Sequence, residues 1–280
     1  MSQISLTARM RSNLLSLQGT AKLMSQTQER LASGKKVNSA VDNPSSYYTA
    51  QSLNNRASDL SNLLDSMGQA ISTIKAANEG IEAITSFVEQ AKAVANSAAE
   101  ATTAAERGTY GKQFDQLVAQ IDKLAADSGY KGINLIGGAG TTLTVNFDET
   151  GTNKLQIASK NGKALGIGLI AAANFKAETA WAAAETGAAA VTTSITAAGT
   201  AISNLRSMAS EFGNNYSIVQ TREEFTTNLI NVLEEGADKL TLADMNEESA
   251  NMLALQTRQQ LAINSLSLAS QAAQSVLKLF

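Results

Sequence analysis

The chain has 280 residues, a net charge of -3, and 44% hydrophobic but only 5% aromatic side chains. Aliphatic and small residues in that balance suit narrow helix–helix seams, and no basic excess calls for a nucleic-acid partner. Cysteine and histidine are both absent, which excludes disulfides, thiolate metal sites and histidine-based acid–base or metal chemistry.

The first element is a heptad ladder through Met10, Leu14, Leu17, Ala21, Met24, Gln28 and Leu31, stepping three and four. Gly34 reads as the residue that ends this helix. Asp42, Asn43 and Pro44 form the loop into the next helix, with Asn43 as N-cap and Pro44 at the first helical position. Pro44 is the only proline, so very long helices are permitted. A second ladder runs from Leu53 to Ile81 and continues in a shifted seam from Ile84 to Ala98. Together they span about 50 residues, or roughly 75 Å if unbroken.

Arg107-Gly108-Thr109 reads as a turn, followed by a shorter helix seamed by Tyr110, Phe114, Leu117, Ile121 and Leu124 and closed at Ser128-Gly129. Leu143–Phe147 and Leu155–Ile157 alternate apolar and polar residues and predict a β-hairpin over about 141–158. The Ala/Gly-rich stretch 159–193 reads as irregular or weakly helical. Heptad spacing then returns from Ile195 to Leu233. Gly236 is expected to interrupt it. A last ladder follows through Met252, Leu255, Gln259, Ala262, Leu266, Ala269, Ala273, Val276 and Phe280.

These patterns predict a mainly α fold. Two long inner helices pair antiparallel as a coiled-coil-like hairpin, the terminal helices pair with each other, and a small β-hairpin sits centrally. The expected division is 1–40 with 241–280 as terminal helices and 41–240 as a helical domain. Residues 261–280 hold a single charged side chain, Lys278. A helix so apolar is not satisfied by one partner, so the terminal helices are expected to fold on assembly. The expected polymerisation interface is Met10, Leu14, Leu17, Met24, Leu31, Met252, Leu255, Leu266, Ala269, Ala273, Val276 and Phe280.

Motifs for chemistry are weak. None of the Gly-Lys pairs has the spacing of a phosphate loop. Gly166-Ile-Gly168-Leu-Ile-Ala171 matches a dinucleotide pattern without the flanking strands that would support it. The acidic pairs Asp148-Glu149, Glu223-Glu224, Glu234-Glu235 and Glu247-Glu248 read as solvated faces. No catalytic, metal or cofactor residue is expected. No segment is long and apolar enough to span a membrane, and Arg9 and Arg11 interrupt what would be a signal-peptide core.

With these residues in view, the sequence resembles bacterial flagellin. The likeness rests on Leu14–Leu17 through Leu31–Lys35, on Val41–Pro44, on Ser249–Thr257 and on Ser267–Phe280. The resemblance implies a filament subunit without a large outer domain, secreted unfolded by the flagellar type III export apparatus. Its implied partners are identical subunits, an export chaperone at the C-terminal helix, the filament cap and the hook-junction proteins. A hook–filament junction protein of the same export system is the alternative reading. An enzyme with a central metallopeptidase is excluded by the missing histidines, and a helical adaptor would not need terminal apolar seams. The stretch Ile84–Val94 lacks the arginine that the family's receptor-stimulating members carry there, which implies weak activation of the flagellin-sensing Toll-like receptor. Serines and threonines over 141–200 are candidate sites for O-linked sugars.

Overall fold

The computed structural model describes residues 8–138, 140–171 and 175–277. Six helices and two small antiparallel sheets account for the regular structure among them: α1 (Ala8–Ser33), α2 (Pro44–Glu100), α3 (Ala104–Asp127), β1 (Gly129–Tyr130), β2 (Ile133–Asn134), β3 (Thr142–Asn146), β4 (Lys154–Ala158), α4 (Ala177–Trp181), α5 (Gly187–Thr241) and α6 (Met245–Leu277). The chain divides into a terminal unit, residues 1–57 with 231–280, and a central unit, residues 58–230. Helices α2 and α5 each contribute to both.

In the central unit the expected ladders of α2 and α5 face inward. Met67, Ile74, Ile81, Ile84, Val88 and Ala91 of α2 and Ala198, Leu205, Phe212 and Val219 of α5 are buried in one core. Helix α3 adds Phe114 and Ile121. The hairpin forms in the expected place, with Leu143 opposite Ile157 and Val145 opposite Leu155. Leu143, Val145 and Ile157 point into the core while Thr142, Thr144, Gln156 and Ala158 face water, the period-two alternation of a half-buried ribbon.

The expected turn at Arg107-Gly108-Thr109 is not there. The break lies earlier, at 101–103, where Thr103 caps α3. Its hydroxyl accepts the Glu106 N–H at 3.2 Å and the Glu106 carboxylate accepts the Thr103 N–H at 3.2 Å, a reciprocal capping box. Gly108 and Gly111 are helical and buried because α4 crosses them. A Cβ on Gly111 would lie 2.6 Å from the Ala177 carbonyl. Glycine here marks a close approach rather than a turn.

Gly236 does not interrupt α5 either; the helix runs through it to Thr241, and Leu53 packs against the open side. Gly80, inside α2, is buried with Ser128 and Ile136 over it. The stretch 159–193 is only partly irregular. Helix α5 begins at Gly187, and Ala164, Ile167, Leu169 and Trp181 are buried. Trp181, the only tryptophan, packs against Phe114 with ring centroids 5.0 Å apart and planes tilted by 55°, and donates its indole N–H to Ser194 Oγ at 3.3 Å. Asp115 of α3 accepts both the Ala177 and the Glu178 N–H, at 2.9 and 3.2 Å, and so caps the short helix α4. Gly168, of the dinucleotide-like pattern, sits at φ +80° in a turn after the hairpin.

Candidate assembly surface

The terminal unit is built on the pairing of α1 with α6. Gly34 ends α1 with φ +72° and donates to the Arg30 carbonyl at 2.8 Å, the left-handed cap its type allows. The chain then clasps the opposite break. Lys36 and Val37 donate to the Thr241 carbonyl at 2.7 and 3.2 Å, and Ala243 donates back to the Gly34 carbonyl at 3.0 Å. The two breaks thus form one small bridge, with Val37 buried beneath it.

Asp42 organises the loop that follows. Its carboxylate accepts the backbone N–H groups of Asn38 and Ser39, both at 3.0 Å. The Ser39 bond above all, then that of Asn38, holds its pKa below the ordinary aspartate value. Asn43 caps α2 by accepting the Ser46 N–H at 3.1 Å, and Pro44 occupies the first helical position. Asp244 does the same for α6, accepting the Asn246 N–H at 2.9 Å and the Glu247 N–H at 3.3 Å.

One of the acidic pairs departs from the solvated-face expectation. Glu248 is buried and pairs with Arg30 of α1 at 2.8 Å, while Glu247 stays exposed. Adjacent helical residues point about 100° apart, so one member of such a pair turns inward when the helix packs. The second Glu248 carboxylate oxygen is buried without a hydrogen-bond partner. Arg30, Lys36, Asp42, Glu247 and Glu248 line a mixed-charge cleft of about 440 Å³ beside the clasp.

Most of the expected interface residues are only half-buried: Met10, Leu17, Met24 and Leu31 on α1, and Met252, Leu255, Leu266 and Ala269 on α6. Leu14 is 38% exposed. The inward stripe of α1 runs instead through Asn13, Leu17, Thr20, Met24, Thr27 and Leu31, with both threonines buried. Thr20 returns its hydroxyl proton to the Ser16 carbonyl at 2.9 Å, which meets its polar demand within the helix. Phe280 and the side chains of Ala273 and Val276 lie outside the described residues.

The paired helices still carry large apolar side chains outward. Leu15, Leu23, Leu253, Leu261 and Leu268 are between 49% and 68% exposed. Val41, in the loop before α2, is 92% exposed. Sequence reasoning passed over these positions because each lies off the chosen ladder. Their signal was the run of adjacent apolar residues, as in Leu14-Leu15 and Leu261-Ala262-Ile263, which no single stripe can bury. Among the described residues no helix is long and apolar enough to cross a membrane and no carboxylate cluster has metal-binding form.

Comparison with known proteins bears on this architecture at both ends. Residues 4–141 match the model of the bacterial flagellin N-terminal helical region, and residues 195–280 match that of the C-terminal helical region. Flagellin FljK of Caulobacter vibrioides is 30% identical over 268 residues, covering 95% of this chain and 94% of that protein. A flagellin of Brucella melitensis is 28% identical over 269 residues, covering 95% of each. The crystal structure of Bacillus cereus flagellin aligns with a TM-score of 0.46 at 15% identity, over 56% of this chain and 86% of that one.

Proposed function

This chain belongs to the bacterial flagellin family, whose members are structural subunits of the extracellular flagellar filament, and on that premise we propose how it is delivered and how it assembles. It leaves the cell unfolded through the flagellar type III export apparatus, accompanied by a chaperone that grips the C-terminal helix. It is added beneath the filament cap, beyond the hook-junction proteins, and polymerises through α1 and α6.

The observation that carries this reading is the outward apolar surface of the terminal pair. Burying one leucine contributes roughly 1.5–3 kcal/mol, and Leu15, Leu23, Leu253, Leu261 and Leu268 are left largely unburied by intramolecular pairing. The expected positions Leu17, Met24, Met252, Leu255, Leu266 and Ala269 are half-buried and serve the intramolecular seam as well. In this reading they set the shape of the pair, and the outward leucines make the contact between subunits.

The test is seeded assembly of the purified subunit, followed by circular dichroism and negative-stain microscopy. Filaments appearing together with a gain in helix signal support terminal helices that complete their folding on assembly. A subunit that is already fully helical and never elongates seeds would oppose it. The missing arginine between Ile84 and Val94 supports weak stimulation of the flagellin-sensing Toll-like receptor. A reporter-cell assay would contradict that reading by responding at the doses that suffice for a strongly stimulating flagellin.

A further inference from the structure

Asn161-Gly162 is the only Asn-Gly pair in the sequence. Such a pair is chemically labile because glycine, lacking Cβ, lets the following backbone nitrogen reach the asparagine side chain. The Gly162 nitrogen attacks Asn161 Cγ, forming a C–N bond and giving up its proton. The Cγ–Nδ2 bond breaks, and ammonia leaves with that proton. Water then opens the succinimide ring at either carbonyl, leaving aspartate or isoaspartate.

Three features of the central unit oppose this step. The Gly162 N–H donates to the Ile136 carbonyl at 2.8 Å, so the nucleophile is engaged and Gly162 itself is buried. The flanking backbone is laced to the same segment: Lys160 donates to the Leu135 carbonyl at 2.7 Å, Gly138 donates to the Lys160 carbonyl at 3.2 Å, and Asn161 bridges Gly137. The Asn161 side chain is confined between two other glycines. A Cβ on Gly138 would lie 2.8 Å from Asn161 Oδ1, and one on Gly166 would lie 2.5 Å from Asn161 Cβ.

One contact works the other way. The Lys163 N–H donates to Asn161 Oδ1 at 3.2 Å, which polarises the side-chain carbonyl toward attack. The nucleophile decides the balance: a polarised carbonyl does not react while the only nitrogen within reach is bonded elsewhere. Exposure does not protect the site, since Asn161 is on the surface and water is needed only in the second step.

We propose that Asn161 is a masked deamidation site, held inert by the folded central unit and unmasked whenever that unit opens. Isoaspartate adds a carbon to the main chain and removes the Asn161 bridge to Gly137. A chain that deamidates while unfolded therefore refolds with that ladder broken. The modification marks chains by the time they have spent unfolded.

Full-length subunit is incubated at mildly alkaline pH in native buffer and in concentrated urea. Isoaspartate is then counted at the 161–162 peptide by enzymatic methylation and mass spectrometry. Reaction in native buffer at least about tenfold slower than in urea is expected if attack requires local opening. Equal rates would overturn the proposal. In native buffer Gly166→Ala, whose added Cβ collides with both the side chain and the backbone carbonyl of Asn161, is expected to raise the rate above wild type while Trp181 emission stays native. Should that variant fail to fold, Gly138→Ala replaces it. An unchanged rate in a folded variant overturns the cradle's part, and the wild-type comparison decides the masking itself.

Discussion

Arg30 and Glu248 give the sharpest energetic prediction, because their pairing is asymmetric. The Glu248 side chain is 9% exposed and one of its oxygens has no partner, whereas the Arg30 side chain is 32% exposed. Arg30→Ala leaves a carboxylate buried with nothing opposite it. Removing one member of a buried pair costs roughly 3–5 kcal/mol. Partial exposure of the arginine reduces that to about 2 kcal/mol here. Glu248→Leu removes the desolvated charge and the unpartnered oxygen together, and leaves Arg30 free to turn to water. Its expected cost is below about 1 kcal/mol. Hydrogen exchange of α1 and α6 peptides across a urea series is the assay, because the only tryptophan lies in the central unit and reports that unit separately. Glu248→Leu costing as much as Arg30→Ala, or more, would refute the argument.

Gly111→Val pushes α4 off α3 and is expected to destabilise the central unit by about 1–3 kcal/mol, as overpacking does; a shifted Trp181 emission and a lower urea midpoint check it. Asp42 has a folded pKa below its ordinary value, so its contribution is present above the unfolded pKa and lost as pH falls through the depressed one. Amide resonances of Asn38 and Ser39 are expected to titrate at lower pH than an ordinary aspartate would give, and Asp42→Asn removes that transition. Thr103→Ala breaks the capping box and is expected to cost about 1 kcal/mol, measured as a lower urea midpoint of the Trp181 signal.

Where sequence and fold agree, a local rule had no competitor. Gly34 ends α1, Asn43 and Pro44 start α2, and the alternation around Leu143 and Ile157 builds the hairpin, because neighbouring residues alone settle those conformations. The misreadings share a different cause. Gly108 and Gly236 look like breaks in sequence, yet both are helical; Gly108 and its neighbour Gly111 make room for α4 and the residue after it, far along the chain, which local pattern does not encode. Thr20 and Thr27 look polar yet both face inward; the Thr20 hydroxyl meets its own demand by bonding back to the Ser16 carbonyl of the same helix. Glu248 looks solvated until α6 packs and Arg30 meets it. The expected interface ladder falls on α1 and α6, which pair with each other. Which side of each helix is left outward depends on the intramolecular seam, and only the folded terminal unit defines it.

The central claim is that filament contacts are made by the outward face of the terminal pair. The measurement is elongation of preformed filament seeds by Leu261→Asp subunits, read by sedimentation and electron microscopy. Leu261 is 63% exposed, so the substitution is expected to leave the monomer's helix content and Trp181 emission unchanged. Losing its burial on assembly, at roughly 1.5–3 kcal/mol, is expected to raise the critical concentration by about tenfold or more. Elongation at the wild-type rate and concentration would contradict the account.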